Sequence, residues 1–163
     1  MKTLITPLQV LKIAFGDGET LPPETIAQAD IAAAEERWIV PAIGRKLYDK
    51  LVDGAHADFS ADFLAAPIAF FTRTLIQPRL DVRTDRSGTA APRSSYGQPA
   101  DDAALRLLHR RLLQEARTLL RRATEQLRTH PSDFPEYDPD GDSTARCSIE
   151  SGLILPDHGT RTR

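Results

Sequence analysis

One long helical pattern, from Asp101 to His130, sets the main limit on the fold. Apolar residues recur there every three or four positions and form one seam about eight turns long, since a turn takes about 3.6 residues. The seam consists of Leu105, Leu108, Leu112, Ala116, Leu119, Ala123 and Leu127, widened by Leu113 and Leu120. Arginines project on another side, within about 60° of one another. These are Arg106, Arg110, Arg117, Arg121 and Arg128, which we call the arginine face. The pattern predicts an amphipathic helix that needs an apolar partner.

A second stretch, Phe63 to Gln77, is apolar on nearly every side. A helix that is apolar all round is usually buried, so this stretch is predicted to be the central core element. Pro67 is expected in its first turn or at a kink. We interpret its phenylalanines as core packing rather than as the lining of a ligand pocket.

The stretch from Gln28 to Gly54 predicts two short helices joined at Pro41. The first has a narrow apolar face of Ala27, Ile31, Ala34 and Trp38, with Glu35, Glu36 and Arg37 directed elsewhere. The second begins at Pro41, carries an apolar stripe of Ile43, Leu47 and Leu51, and ends at Asp53-Gly54. Near the N-terminus, Thr6, Pro7 and Gln9 form a capping-box pattern that predicts another short helix, to about Phe15.

These patterns predict an all-α protein, a small bundle of about four to five helices with a long loop before the last helix and an extended acidic C-terminal tail. The helical domain is placed at residues 1–130, with a flexible loop at 82–100 that could hold a short hairpin. Residues 131–163 are expected to be acidic and largely irregular. Ser148 to Leu155 is the exception, because it could form one extended strand laid on another element or subunit.

Charge is segregated along the chain, although the net charge is only -2. Residues 1–72 carry six basic and ten acidic side chains, residues 73–128 carry twelve and six, and residues 129–163 carry three and seven. All twelve basic residues of the middle block are arginines, which suit fork-shaped contacts to carboxylate or phosphate. Two interpretations stay open: an acidic surface meets a basic one on a neighbouring copy, or the arginines bind phosphate. Loop arginines Arg83, Arg86 and Arg93, with Tyr96 available for stacking, extend both possibilities.

The sequence offers no recognisable catalytic, cofactor or metal site. The four histidines have no metal-ligand spacing, and the single Cys147 cannot form an internal disulfide. The alternating acids Asp138, Asp140 and Asp142 fail as a calcium loop, because the glycine and the last ligand fall at the wrong positions. There is no phosphate loop, dinucleotide fingerprint or nucleophile elbow. We therefore expect that the chain is not an enzyme and binds no cofactor. Its apolar runs are too short to cross a bilayer, so we also expect no membrane span.

The segment ERWIVPAIGRKLYDKL resembles the head-tail connector (adaptor) proteins of long-tailed bacteriophages, in which an amphipathic helix ends in a Gly-Arg-x-Leu type of turn. Nearly all of the chain is also similar to an uncharacterised family of phage and prophage proteins. That similarity rests on ITPLQVLKIAFGDGE, IVPAIGRKLY, LIQPRLDVRT, SYGQPA, the arginine-rich last helix and FPEYDP. The chain departs from the connector pattern in its longer loop and its acidic tail.

The resemblance implies a structural virion assembly protein without catalytic residues. Such a protein would form a ring-shaped homo-oligomer between the phage portal and a tail-side protein, with DNA passing through the lumen. The residues expected to face DNA or a neighbouring subunit are the arginine face together with Arg83, Arg86 and Arg93. The expected location is the cytoplasm of the bacterial host and then the virion. The alternative is a nucleic-acid-binding accessory protein that uses the arginine-rich helix and loop.

Overall fold

The structure, a computed structural model, describes residues 2–16, 21–85, 88–90 and 100–139 of the 163-residue chain. Within these residues five helices and one small hairpin form the secondary structure. The helices are α1 (Pro7–Ala14), α2 (continuous segments Gln28–Ala34, Glu35–Ile39 and Val40–Ile43), α3 (Arg45–Val52), α4 (Ala57–Asp81) and α5 (Asp102–Thr129). A 3₁₀ turn at Pro23–Thr25 precedes α2, and the strands are β1 (Arg83–Asp85) and β2 (Gly88–Ala90). The predicted all-α bundle is therefore confirmed.

Helix α4 is the central element, as predicted. It packs against α1, α2 and α5, and its buried side chains lie on several sides of the helix. Ile68 and Phe71 are fully buried, and the Phe71 ring stacks on Trp38 of α2 with centroids 4.6 Å apart. The core thus forms around one helix that has neighbours on most of its surface.

Two wide π-helical turns lie shortly before prolines. Glu35–Ile39 in α2 precedes Pro41, and Ser60–Leu64 in α4 precedes Pro67. A proline lacks the N–H of a regular helix and its ring crowds the carbonyl one turn back, so a wider turn before it lets the helix continue. The predicted break at Pro41 is therefore wrong: α2 runs through this proline and ends at Gly44, whose φ is +83°.

The ends of α1 and α5 follow the predicted capping. Thr6 and Gln9 form the capping box, with the Gln9 side chain accepting the Thr6 N–H at 2.8 Å. Asp101 accepts the Ala104 N–H at 2.7 Å and begins α5 at the predicted position. Both helices start where a side chain satisfies a backbone N–H that the helix itself leaves unpaired.

The predicted seam of α5 is buried along its C-terminal part. Its buried members are Leu112, Ala116, Leu120, Ala123 and Leu127, whereas Leu105, Leu108, Leu113 and Leu119 are half-buried. After the helix the chain turns back, and the rings of Phe134 and Tyr137 join the core. The packed region therefore includes residues beyond 130, where we placed the boundary of the helical domain.

Helix α4 is also the one helix among the described residues that is long and apolar enough to meet a length-and-composition test for a membrane span. Of its apolar window, 56% is buried inside the fold. A core helix meets the same test, so the feature is weak support for a membrane location.

Candidate functional site

The arginine face is fully presented on the outside of α5. All five of its members are exposed, and the buried seam of the same helix points toward the core. The guanidinium groups of Arg106, Arg110 and Arg117 form no hydrogen bond or ion pair with any other described residue, and the same holds for the guanidinium group of Arg121. Leu107, which lies beside this face at 100° per residue, is 51% exposed. The helix therefore presents four guanidinium groups without an ion-pair partner in the described part of the chain, those of Arg106, Arg110, Arg117 and Arg121, and one large exposed apolar side chain.

Of the three loop arginines, the structure describes the backbone of one. Arg83 lies in β1, where its backbone pairs with Ala90 of β2. Arg86, Arg93 and Tyr96 lie outside the described residues. Of the eight predicted contact residues, the five on α5 share one surface.

Four exposed acids lie on either side of the turn between α3 and α4. They are Asp49 and Asp53 at the end of α3 and Asp58 and Asp62 at the start of α4, and we call them the acidic corner. Among the described residues none of the four forms an ion pair. The helices turn here at Gly54, whose φ is +94°. Sequence reasoning noted the acidic balance of residues 1–72 but did not collect these acids into one surface.

Two ion pairs among the described residues join parts of the fold. Arg79 at the end of α4 donates to Asp30 at 2.8 Å and to the Thr25 carbonyl at 2.9 Å, which ties α4 to the start of α2. Arg45 pairs with Glu36 across the turn between α2 and α3. These pairs are structural, and neither involves the arginine face or the acidic corner.

A buried carboxylate, Glu35, connects three parts of the fold. Its side chain is 0% exposed, although it carries no ion-pair partner among the described residues. One carboxylate oxygen accepts the Leu4 N–H at 2.8 Å, and the other accepts the Tyr48 O–H at 2.7 Å. Glu35 thereby holds the N-terminal segment and α3 against the π-helical turn of α2.

Burial raises the pKa of Glu35 above its ordinary value of 4.5, and the hydrogen bonds from Tyr48 and Leu4 oppose that rise. Burial and the neighbouring Glu35 also raise the pKa of the Tyr48 hydroxyl. The prediction that Glu35 points away from the apolar face is wrong. A signal was present, because Glu35 lies four residues after Ile31 and four before Ile39, both buried.

A cleft of about 280 Å³ lies between the N-terminal segment, the end of α3 and the start of α4. It is lined by Thr3, Leu4, Ile5, Gln9, Leu51, Val52, Gly54, Ala57, Ser60, Ala61 and Ala65. None of these side chains is an acid, a base or a thiol. Over the described ranges there is also no group of three His, Cys, Asp or Glu side chains that could hold a metal ion.

Comparisons with known proteins give one match. No curated protein and no solved structure matches this chain. The sequence model of one family, described as a family of unknown function (DUF6712), matches residues 39–147. The matched region runs from the end of the π-helical turn in α2 through α3, α4 and α5 and covers two thirds of the sequence. The chain therefore belongs to the DUF6712 family.

Proposed function

We propose that this chain is a structural protein of phage or prophage virion assembly, similar to a head-tail connector. In this proposal copies of the chain form a ring between the portal and a tail-side protein, first in the bacterial cytoplasm and then in the virion. The chain catalyses no reaction and needs no cofactor. The proposal starts from the sequence resemblance at ERWIVPAIGRKLYDKL and is supported by the surfaces of the fold.

The observation that carries the proposal is the pair of exposed, oppositely charged surfaces. The arginine face lies on α5 and the acidic corner lies on α3 and α4, and four of the five arginines and all four acids lack ion-pair partners within the described residues. A ring repeats one contact in which two different surfaces meet. Such a contact requires two different, complementary surfaces on each subunit, and the arginine face and the acidic corner are two such surfaces.

The arginine face also has the length needed to follow a large charged partner. Arg106 and Arg128 are 22 residues apart on one continuous helix, which corresponds to about 33 Å at 1.5 Å per residue. In a ring such a helix can line a lumen that admits DNA or can contact the next subunit. Either position gives the exposed guanidinium groups an anionic partner.

The direct test is the size of the particle. The purified chain would be measured by light scattering across a concentration series, alone and with a phage portal protein. We expect a closed oligomer of defined mass, formed by the chain alone or on the portal. A strict monomer that ignores the portal at every concentration would contradict the proposal.

The second candidate is a nucleic-acid-binding accessory protein, which the same unpaired arginines favour. This candidate predicts binding to duplex DNA that weakens steeply as salt rises, because each phosphate contact releases counterions. Fluorescence anisotropy with a labelled duplex at several salt concentrations measures the slope. If the chain forms oligomers but does not bind the DNA duplex at low salt, only the first proposal remains.

A further inference from the structure

We propose that the arginine face of α5 binds the acidic corner of a second copy of this chain. This inference rests on the proposed function and names the contact that would close the ring. The acidic corner and the arginine face then become the two sides of one repeated, head-to-tail interface. A neighbouring copy is the occupant because it presents the charge complementary to four guanidinium groups that have no ion-pair partner within the described residues, those of Arg106, Arg110, Arg117 and Arg121.

The arginine face and the acidic corner each contain two pairs of like charges four residues apart in the sequence. The arginine face contains two pairs four residues apart, Arg106 with Arg110 and Arg117 with Arg121. Residues at this spacing on a helix are neighbours, with Cβ atoms about 5–6 Å apart. The acidic corner repeats the arrangement with Asp49 and Asp53 at the end of α3.

Asp58 and Asp62 at the start of α4 form the second acidic pair, also four residues apart. The arginine face therefore offers two pairs of cations about two helical turns apart, and the acidic corner offers one pair of acids on each of two successive helices. Guanidinium forks suit this arrangement, because each can bind a carboxylate through two parallel N–H groups.

Two further observations favour a protein partner over nucleic acid. The twelve basic residues of 73–128 are all arginines, and arginine is enriched at protein interfaces where lysine is depleted. The exposed Leu107 lies beside Arg110 at 100° per residue. A large apolar side chain next to the arginines adds contact area in a protein interface, whereas a phosphate backbone offers it no apolar partner.

The experiment is a charge swap with self-association as its readout, measured by analytical ultracentrifugation alone and with the portal protein. One full-length variant reverses the arginine face (Arg117→Glu, Arg121→Glu), and another reverses the acidic corner (Asp58→Arg, Asp62→Arg). Each is expected to weaken association by roughly tenfold or more, since like charges then face each other. A chain that carries all four substitutions is complementary again and is expected to associate within about threefold of the wild type.

A matched control changes the net charge by the same amount outside the arginine face. Lys12 on α1 and Arg111 on α5 are both exposed and lie off this face, so Lys12→Glu with Arg111→Glu should leave association within about threefold of the wild type. Thermal denaturation of every variant shows that a loss of association is not a loss of folding.

The outcomes separate this inference from the proposed function. If the wild type assembles but the four-substitution chain does not recover, the arginine face meets something other than the acidic corner, and the inference is overturned while the ring stands. If the arginine reversal removes duplex DNA binding and leaves assembly intact, the face is a nucleic-acid surface and the inference also fails. If the wild type never assembles, alone or with portal, both proposals fail.

Discussion

Replacing Glu35 by alanine should destabilise the fold strongly, because two donors lose their acceptor. The carboxylate is 0% exposed and accepts hydrogen bonds of 2.8 Å from the Leu4 N–H and 2.7 Å from the Tyr48 O–H. Each donor left without an acceptor destabilises the fold by about 1–3 kcal/mol. The alanine variant also no longer has to bury a carboxylate, and this gain offsets part of the combined loss from the two donors. We expect Glu35→Ala to lower the free energy of unfolding by about 3 kcal/mol, which corresponds to a fall in Tm of roughly 6–12 °C for a chain of this size.

Glu35→Gln is the matched control, since the amide keeps the shape and both contacts. Its oxygen can accept the Leu4 N–H and its NH₂ group can donate to the Tyr48 oxygen, so we expect a change of at most about 1 kcal/mol near neutral pH. Trp38, the single tryptophan of the chain, stacks on Phe71 and reports unfolding by its fluorescence in a urea titration. Equal losses for the alanine and glutamine variants would refute the hydrogen-bonding account.

The same pair of proteins gives a pH dependence of known sign. Burial raises the folded-state pKa of Glu35 above 4.5, so its protonated form stabilises the fold. That contribution is fully present below pH 4.5 and is lost as the pH rises through the raised pKa. The stability of the wild type minus that of Glu35→Gln should therefore fall as pH rises from about 4 to 8. A difference that grows over this range would contradict the burial of the carboxylate.

Other substitutions test the backbone turn and the C-terminal packing. Gly44→Ala should lower the free energy of unfolding by about 1–2 kcal/mol, because φ is +83° at this residue. Gly16→Ala is the control, since Gly16 is exposed and has no positive φ, and it should change the free energy of unfolding by less than about 0.5 kcal/mol. Urea unfolding of both variants measures the difference, and equal effects would contradict the positive φ at Gly44. Phe134→Ala should cost about 2–4 kcal/mol, since its ring is 7% exposed and packs in the core. Ser132→Ala, in an exposed turn, is the control, and the Tm values of the two variants are compared. A Phe134→Ala variant with the Tm of the wild type would show that the core ends at α5.

The long helices could be predicted from the sequence because one side-chain period dominates each of them. The seam of α5 repeats from Leu105 to Leu127, so its start at Asp102 and its buried side follow from the pattern alone. The end of α2 could not be found in this way. A π-helical turn is a backbone adjustment that widens the helix without breaking the apolar pattern, so Pro41 resembled a boundary although Gly44 is the true one.

The candidate site was predictable only in the part that lies on one element. The arginine face follows from helical spacing within α5, whereas the acidic corner depends on how α3 and α4 meet, which residue spacing does not give. Glu35 was missed for a related reason. Its two hydrogen-bond donors belong to residues 4 and 48, far apart in the sequence, and only the folded chain brings them to one carboxylate.

Sedimentation velocity of the wild-type chain at low and high salt tests the central claim most directly. If charged surfaces on different elements join copies of the chain, the 18.0 kDa subunit should sediment as a multimer at about 0.05 M salt, alone or on the portal protein, and should dissociate toward monomer near 0.5 M. A monomer of 18.0 kDa at both salt concentrations, with and without portal, would contradict the account.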